Sequence, residues 1–237
     1  MVRNSLELLA GFVLNEIPAI THILHRLKLT ASVLHRQGFA EANAGNVSIR
    51  VSKHLAAPLR EAGFSFVEGE WFLVSISGSR YRDIAMDPAS GLVLIHTGDK
   101  ETIYPHNCKP TSEWKCHKML HKLDEQNFYP CLLHAHPTEI IALCHSPLYK
   151  DEALLNQRLS TLLPELPLYL EKGIATSDFA KPGSMELAEG SCKDIKDRKV
   201  LIWDKHGILC RGTDIDQCLD YLEIVNKAAK LFFLLGD

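Results

Sequence analysis

Cys131-Leu132-Leu133-His134-Ala135-His136-Pro137-Thr138 is the stretch on which the reading of this chain turns. Its apolar start reads as a short strand, and residues two apart on a strand point to the same face. His134 and His136 therefore project together at the strand's C-terminal end, with their ring nitrogens able to converge on one point. A third candidate lies far along the chain, His206 in Trp203-Asp204-Lys205-His206-Gly207. Three neutral imidazoles that leave one coordination position open form the ligand set of a catalytic zinc site rather than a structural one. The pattern points to an enzyme before a scaffold.

Working outward, Gly45-Asn46 precedes Val47-Ser48-Ile49-Arg50-Val51, whose alternation suits a strand, and Trp71 to Ile76 and Leu92 to Ile95 suit two more. A helix is expected from about Thr111 to Leu123, with Pro110 just before it. Over the first 37 residues, Leu6, Leu9, Phe12, Val13, Ile17, Ile20, Ile23, Leu24 and Leu27 recur at helical spacing, with Pro18 dividing two helices. Beyond the His pair, a short helix carries Ile140, Ile141 and Leu143, and another covers Asp151 to Leu163. Lys199–Trp203 and Gly207–Cys210 read as strands joined through the His206 turn. Thr213 or Asp214 caps a closing amphipathic helix with Ile215, Leu219, Leu222, Val225, Ala229 and Phe232 on its apolar side. The expected class is α/β: one domain over residues 1–237, α/β/α, with a central mixed, largely antiparallel sheet flanked by helices.

Composition narrows the function. The formal charge is −3 and Lys and Arg are dispersed, so there is no basic stripe to follow a phosphate backbone and no nucleic-acid partner is expected. Glu7 and Glu16 interrupt the short apolar stretch near the start, no cleavage pattern follows it, and no run is long enough to span a bilayer. The expectation is a soluble cytoplasmic protein without a membrane partner. Its seven cysteines are widely spaced and form no C-x-x-C pair, so they read as reduced thiols.

Pro110-Thr111-Ser112-Glu113 supplies a carboxylate on an element expected beside the His strand. Glu113 reads either as a first-turn acid favoured by the helix dipole or as a general base or acid beside a metal-bound substrate. Asn43-Ala44-Gly45-Asn46 and Ser77-Gly78-Ser79-Arg80 are turns of small residues with amide or hydroxyl side chains. Each reads as an anion cradle, to which Arg80 or Arg82 would add charge, or as a plain turn. His117 and His121 have i, i+4 ligand spacing, but they alternate with Lys115, Lys118 and Lys122 and read as a solvated helix face. His22, His25 and His35 read as partly exposed polar-face residues, and His96, His106 and His145 as loop or surface residues.

Taken together, Gly45-Asn46-Val47-Ser48, Ser77-Gly78-Ser79 with Asp87-Pro88, Pro110-Thr111-Ser112-Glu113, His134-Ala135-His136 and His206-Gly207 resemble the class II aldolase/adducin family in order and spacing, over roughly residues 25 to 235. The resemblance implies a zinc ion, or another divalent transition metal, held by His134, His136 and His206. It implies Glu113 as the acid/base that exchanges a proton with the dihydroxyacetone phosphate carbon, and Glu165, about thirty residues past the His pair, as a further catalytic carboxylate. Asn43, Gly45, Asn46, Ser77, Gly78 and Ser112 are implied as the phosphate pocket, in a homotetramer with sites near subunit boundaries. The implied reaction is retro-aldol cleavage of a ketose 1-phosphate, with L-rhamnulose 1-phosphate as the expected substrate. L-fuculose 1-phosphate cleavage and 4-epimerisation of L-ribulose 5-phosphate are alternatives on the same fold, and a non-enzymatic interaction module of the adducin kind is a third.

Overall fold

The computed structural model describes residues 18–55, 69–105 and 107–236. The first of the two expected N-terminal helices, and His106, lie outside the described residues. The second helix is α1, Pro18–Arg36. Eight strands follow: β1 (Asn46–Arg50), β2 (Glu70–Ser75), β3 (Leu92–Thr97), β4 (Glu101–Tyr104), β5 (Cys131–Ala135), β6 (Ala175–Ser177), β7 (Val200–Trp203) and β8 (Gly207–Gly212). Between them run α2 (Tyr81–Ile84), α3 (Trp114–Leu123), α4 (Thr138–Leu143), α5 (Glu152–Leu162), α6 (Leu166–Tyr169) and α7 (Met185–Ile195), and α8 (Ile215–Leu234) closes the chain.

All eight strands join one sheet in the order β4-β3-β2-β1-β5-β8-β7-β6. Every neighbouring pair is antiparallel except β6 with β7. Strand alternation sorts the side chains into two layers. Val47, Ile49, Val51, Leu133, Ala135, Ile202 and Ile208 face one side, in a core that also takes Ile20, Leu24, Leu155 and Leu222 from α1, α5 and α8. Leu132, Leu201, Trp203 and Leu209 face the other, against Cys116 and Leu120 of α3 and Leu187, Ala188 and Ile195 of α7. This is the expected α/β/α sandwich with a mixed, largely antiparallel sheet.

One expected boundary moves, one of two expected caps is chosen, and two strands come unannounced, each for a local reason. The helix placed from Thr111 starts at Trp114, because the Thr111 amide donates to the Ser75 carbonyl at 2.8 Å and Pro110 bridges Ile76. That segment stays at the sheet before it can turn helical, and Glu113 becomes the residue just ahead of the helix. The last helix is capped by Asp214, whose carboxylate accepts from the Gln217 amide at 2.8 Å. Strands β4 and β6 carried no usable pattern, the first being a polar edge strand and the second three residues long.

Candidate active site

The two central strand junctions build the site. β5 carries His134 near its end and His136 just past it, and β8 beside it starts directly after the turn that carries His206. Lys205 takes the left-handed conformation, with φ of 57°, to form that turn. Gly207 follows, and a Cβ there would stand 2.4 Å from the Ala135 carbonyl oxygen and 2.9 Å from the His136 ring, so the two ligand-bearing segments approach this closely only over a glycine. Gly45 serves the same purpose on the opposite side. Its φ is +77°, and a Cβ would lie 2.6 Å from the His134 carbonyl oxygen and 2.9 Å from the Tyr81 ring, whose hydroxyl donates to that same carbonyl at 3.2 Å.

The donor atoms of His134, His136 and His206 all lie within 4.8 Å of one another. His134 is completely buried, and its Nδ1 is 2.9 Å from the Ile208 carbonyl oxygen. A carbonyl can only accept, so Nδ1 carries the proton and Nε2 presents its lone pair. His136 is arranged alike, with Nδ1 3.3 Å from a carboxylate oxygen of Glu41. The two Nε2 atoms then face each other at 2.9 Å. Two imidazole nitrogens turned on one point, each with its other nitrogen held by an acceptor, fit a shared cation. Burial first, and for His134 the neighbouring imidazoles as well, lowers the pKa of His134 and His136, while burial and His136 bring His206 down to about 4. The triad is therefore neutral at ordinary pH, the form that ligates a metal.

Glu113 sits against this triad and is buried. One carboxylate oxygen accepts from Asn46 Nδ2 at 2.5 Å and lies 3.6 Å from His134 Nε2, and the other is 3.4 Å from His206 Nε2. Burial raises its pKa, against the opposing effect of the Asn46 hydrogen bond, so the group takes up a proton more readily than an exposed glutamate.

Asn43, Gly45, Asn46, Ser77, Gly78 and Ser112 line one cleft together with Glu113 and the three histidines. Every residue expected at the site is there except Glu165. That side chain is exposed at the start of α6 and does not line the cleft.

Several contributors were not foreseen. Glu41 holds His136 across a separation of 95 residues that no local pattern reveals. Trp203 packs its ring 4.5 Å from that of His134 and stacks at 5.1 Å on His206, and it is itself fixed by an indole N–H donated to Ser191 Oγ at 2.9 Å. The expectation for His117 and His121 fails: both are buried, with exposures of 0% and 1%, and both bond the Ser48 hydroxyl at 2.8 Å. The alternating lysines marked the flanks of α3, and the histidine face turned inward to a polar strand face that helical periodicity cannot see. His96 is also buried, in β3 against the Trp71 ring at 4.5 Å, rather than on the surface.

Three convergent imidazoles beside the C-terminal end of β5, a buried carboxylate against them and small-residue turns across the cleft suit metal-assisted acid–base chemistry. The chain belongs to the class II aldolase and adducin family, whose N-terminal domain model matches residues 26–233. Rhamnulose-1-phosphate aldolase from Bacteroides thetaiotaomicron is 25% identical over 93% of this chain and 88% of its own length. The enzyme of that name from Listeria welshimeri is 30% identical, over 86% of this chain and 80% of its own. Among solved structures, a sugar-phosphate aldolase from Thermotoga maritima superposes with a TM-score of 0.77 at 27% identity, covering 92% of this chain and 97% of the other. This chain is accordingly an enzyme of the class II aldolase type, a carbon–carbon lyase.

Proposed function

We propose that the chain cleaves L-rhamnulose 1-phosphate to dihydroxyacetone phosphate and L-lactaldehyde. The carrying observation is the placement of Glu113, whose two carboxylate oxygens lie 3.6 Å and 3.4 Å from two of the three convergent imidazoles. Zinc, or another divalent transition ion, held by His134, His136 and His206 would supply Lewis-acid polarisation of the substrate's carbonyl. Glu113 exchanges the proton at the carbon that parts from the aldehyde, a task suited to a carboxylate whose pKa burial has raised. Asn46 holds that carboxylate in place through its amide donor.

Across the cleft, the Ser77 and Ser112 hydroxyls and the Asn43 amide offer donors to a phosphate. Gly45, Asn46 and Gly78 complete that wall, and around Gly78 the space a Cβ would occupy is open. Fixing the phosphate there keeps the scissile bond in register with Glu113.

Glu165 belongs to this reading only through assembly. Exposed and apart from its own chain's cleft, it is assigned to the cleft of another copy in a homotetramer. Among the described residues no helix is long and apolar enough to cross a membrane. The choice of substrate is supported by the aldolases named above. A non-enzymatic role is disfavoured by a ligand triad and carboxylate that are all in place.

The test is release of dihydroxyacetone phosphate from L-rhamnulose 1-phosphate by zinc-loaded protein, with L-fuculose 1-phosphate, L-ribulose 5-phosphate and a chelator-treated sample alongside. Zinc-dependent cleavage that favours L-rhamnulose 1-phosphate is the expected result. Cleavage favouring L-fuculose 1-phosphate, or conversion of the pentulose to its 4-epimer, would replace the substrate assignment. No turnover of any of the three by metal-replete protein would remove these substrates and turn the search to longer-chain sugar phosphates.

A further inference from the structure

Strand β1 presents Asn46, Ser48 and Arg50 on the face turned away from Val47, Ile49 and Val51, and each makes a polar contact to α3 or to the residue just ahead of it. Asn46 donates to the Glu113 carboxylate at 2.5 Å. The Ser48 hydroxyl meets both His117 Nδ1 and His121 Nε2 at 2.8 Å. Arg50 donates to the His121 carbonyl oxygen and, at 3.3 Å, to that of Asp124.

The match is one of spacing. Alternate residues of a strand advance by about 6.7 Å and every fourth residue of a helix by about 6.0 Å. The series 46, 48, 50 therefore stays in step with 113, 117, 121 for three rungs. Elsewhere α3 is held by the packing of Cys116 and Leu120 on α7 and, at its first turns, by Trp114 Nε1 and Lys118 Nζ donating to one Glu101 carboxylate oxygen at 3.2 Å and 2.8 Å, a single anchor on an edge strand rather than a series of rungs.

We propose that Ser48, acting through His117 and His121, is a positioning residue that fixes the placement of α3 along β1 and thereby the stance of Glu113 against the metal-binding triad. One hydroxyl serves two rings: with a single proton it can donate to at most one of the two nitrogens, so at least one ring presents an N–H to it. Among the described residues this hydroxyl is the only hydrogen-bond partner of either ring. The remaining nitrogens, His117 Nε2 and His121 Nδ1, are buried and make no hydrogen bond. Any slip of the helix thus breaks two buried bonds at once, with nothing nearby to replace them. The link to Glu113 is short, because the His117 amide donates to the Glu113 carbonyl at 3.0 Å. A displacement of His117 carries the backbone of Glu113 with it.

This inference rests on the reading of Glu113 as the proton-transfer group, and two measurements on zinc-loaded full-length protein separate them. The first is exchange of the dihydroxyacetone phosphate carbon-bound proton with deuterated solvent, which isolates the Glu113 step. Ser48→Ala is expected to keep zinc stoichiometry and KM near wild type while kcat and the exchange rate fall together by about tenfold to a hundredfold. Ser48→Thr, which retains the hydroxyl, is expected to recover most of both. The second is the crystal structure of Ser48→Ala, in which the Glu113 carboxylate is expected to have moved away from Asn46. Should the alanine variant fail to fold, the near-isosteric Ser48→Cys carries the same measurements. Wild-type exchange in the folded variant, or an unmoved Glu113 carboxylate, would overturn the proposal. A wild-type protein that neither cleaves nor exchanges would instead remove the reaction assigned to Glu113, leaving the crystallographic displacement to decide the role of Ser48.

Discussion

Two groups of buried or half-buried histidines share one face of the sheet, and they differ in what their nitrogens find there. His134, His136 and His206 turn toward a common point beside an acidic group. His117 and His121 turn toward a hydroxyl that satisfies one nitrogen of each. Burial lowers the pKa in both groups, to about 4 for His206 and about 3 for His117. Neither burial nor titration tells a ligand from a structural histidine. The difference lies in what the facing nitrogens meet: those of the triad turn toward one another, whereas those of the pair close on Ser48.

The contrast predicts divergent responses to substitution. His134→Ala should lose both bound metal, by elemental analysis, and turnover, by roughly a thousandfold or more. A variant with retained metal and near-normal rate would show that the triad is not the metal site. Glu113→Gln should keep the metal, since it removes no imidazole, and lose about a hundredfold to ten-thousandfold in turnover. Its amide oxygen can still accept from Asn46, so the loss reports proton transfer rather than collapse of the cleft. Glu41→Gln should weaken metal affinity by about tenfold to a hundredfold, read by competition with a chromophoric chelator, because a ligand's outer hydrogen bond sets its tautomer and basicity. Equal affinity would mean that this exposed carboxylate does not orient His136.

The smallest effect belongs to the closed pair. His117 and His121 stay neutral in the folded chain well below the point at which they protonate once unfolded. Their folded pKa values are depressed, so they cost no stability above about pH 6.5. As pH falls below that, the unfolded chain takes up protons that the folded chain refuses. Stability then drops by up to about 1.4 kcal/mol per pH unit for each ring, continuing toward about pH 3 for His117. In chelated protein, where the triad contributes equally to both samples, His117→Gln should unfold in urea with a shallower dependence on pH between 6.5 and 5. An unchanged slope would mean that His117 is not held neutral.

The parts of this site carried by local pattern were legible in the chain. His134 and His136 are two apart on a strand, His206 sits in a turn between two strands, and Glu113 and the two small-residue turns lie in short recognisable segments. The parts that depend on what packs opposite were not. Lys115, Lys118 and Lys122 gave α3 the look of a solvated helix, yet β1 offers three polar side chains on the face that α3 covers, which reverses the expectation for His117 and His121. Glu41 and Trp203 were silent for the same reason, since their roles are set by tertiary contact and not by spacing. In the fold, strands with alternating or continuous apolar runs were readable, while β4 and β6 are held mainly by their neighbours in the sheet.

The position of β5 in the strand order has a consequence for how the protein breathes. β1 covers one of its edges and β8 the other, and β4 and β6 stand at the outer limits of the sheet. Edge strands exchange their amide protons through small local openings, whereas a strand paired on both sides and buried on both faces exchanges only when most of the molecule opens. The amides of Leu133, His134 and Ala135 should be among the slowest to exchange in the chain, so that the integrity of the site and the global stability of the fold become one quantity. Mutations that loosen the rims can be tolerated without disturbing the chemistry at the centre.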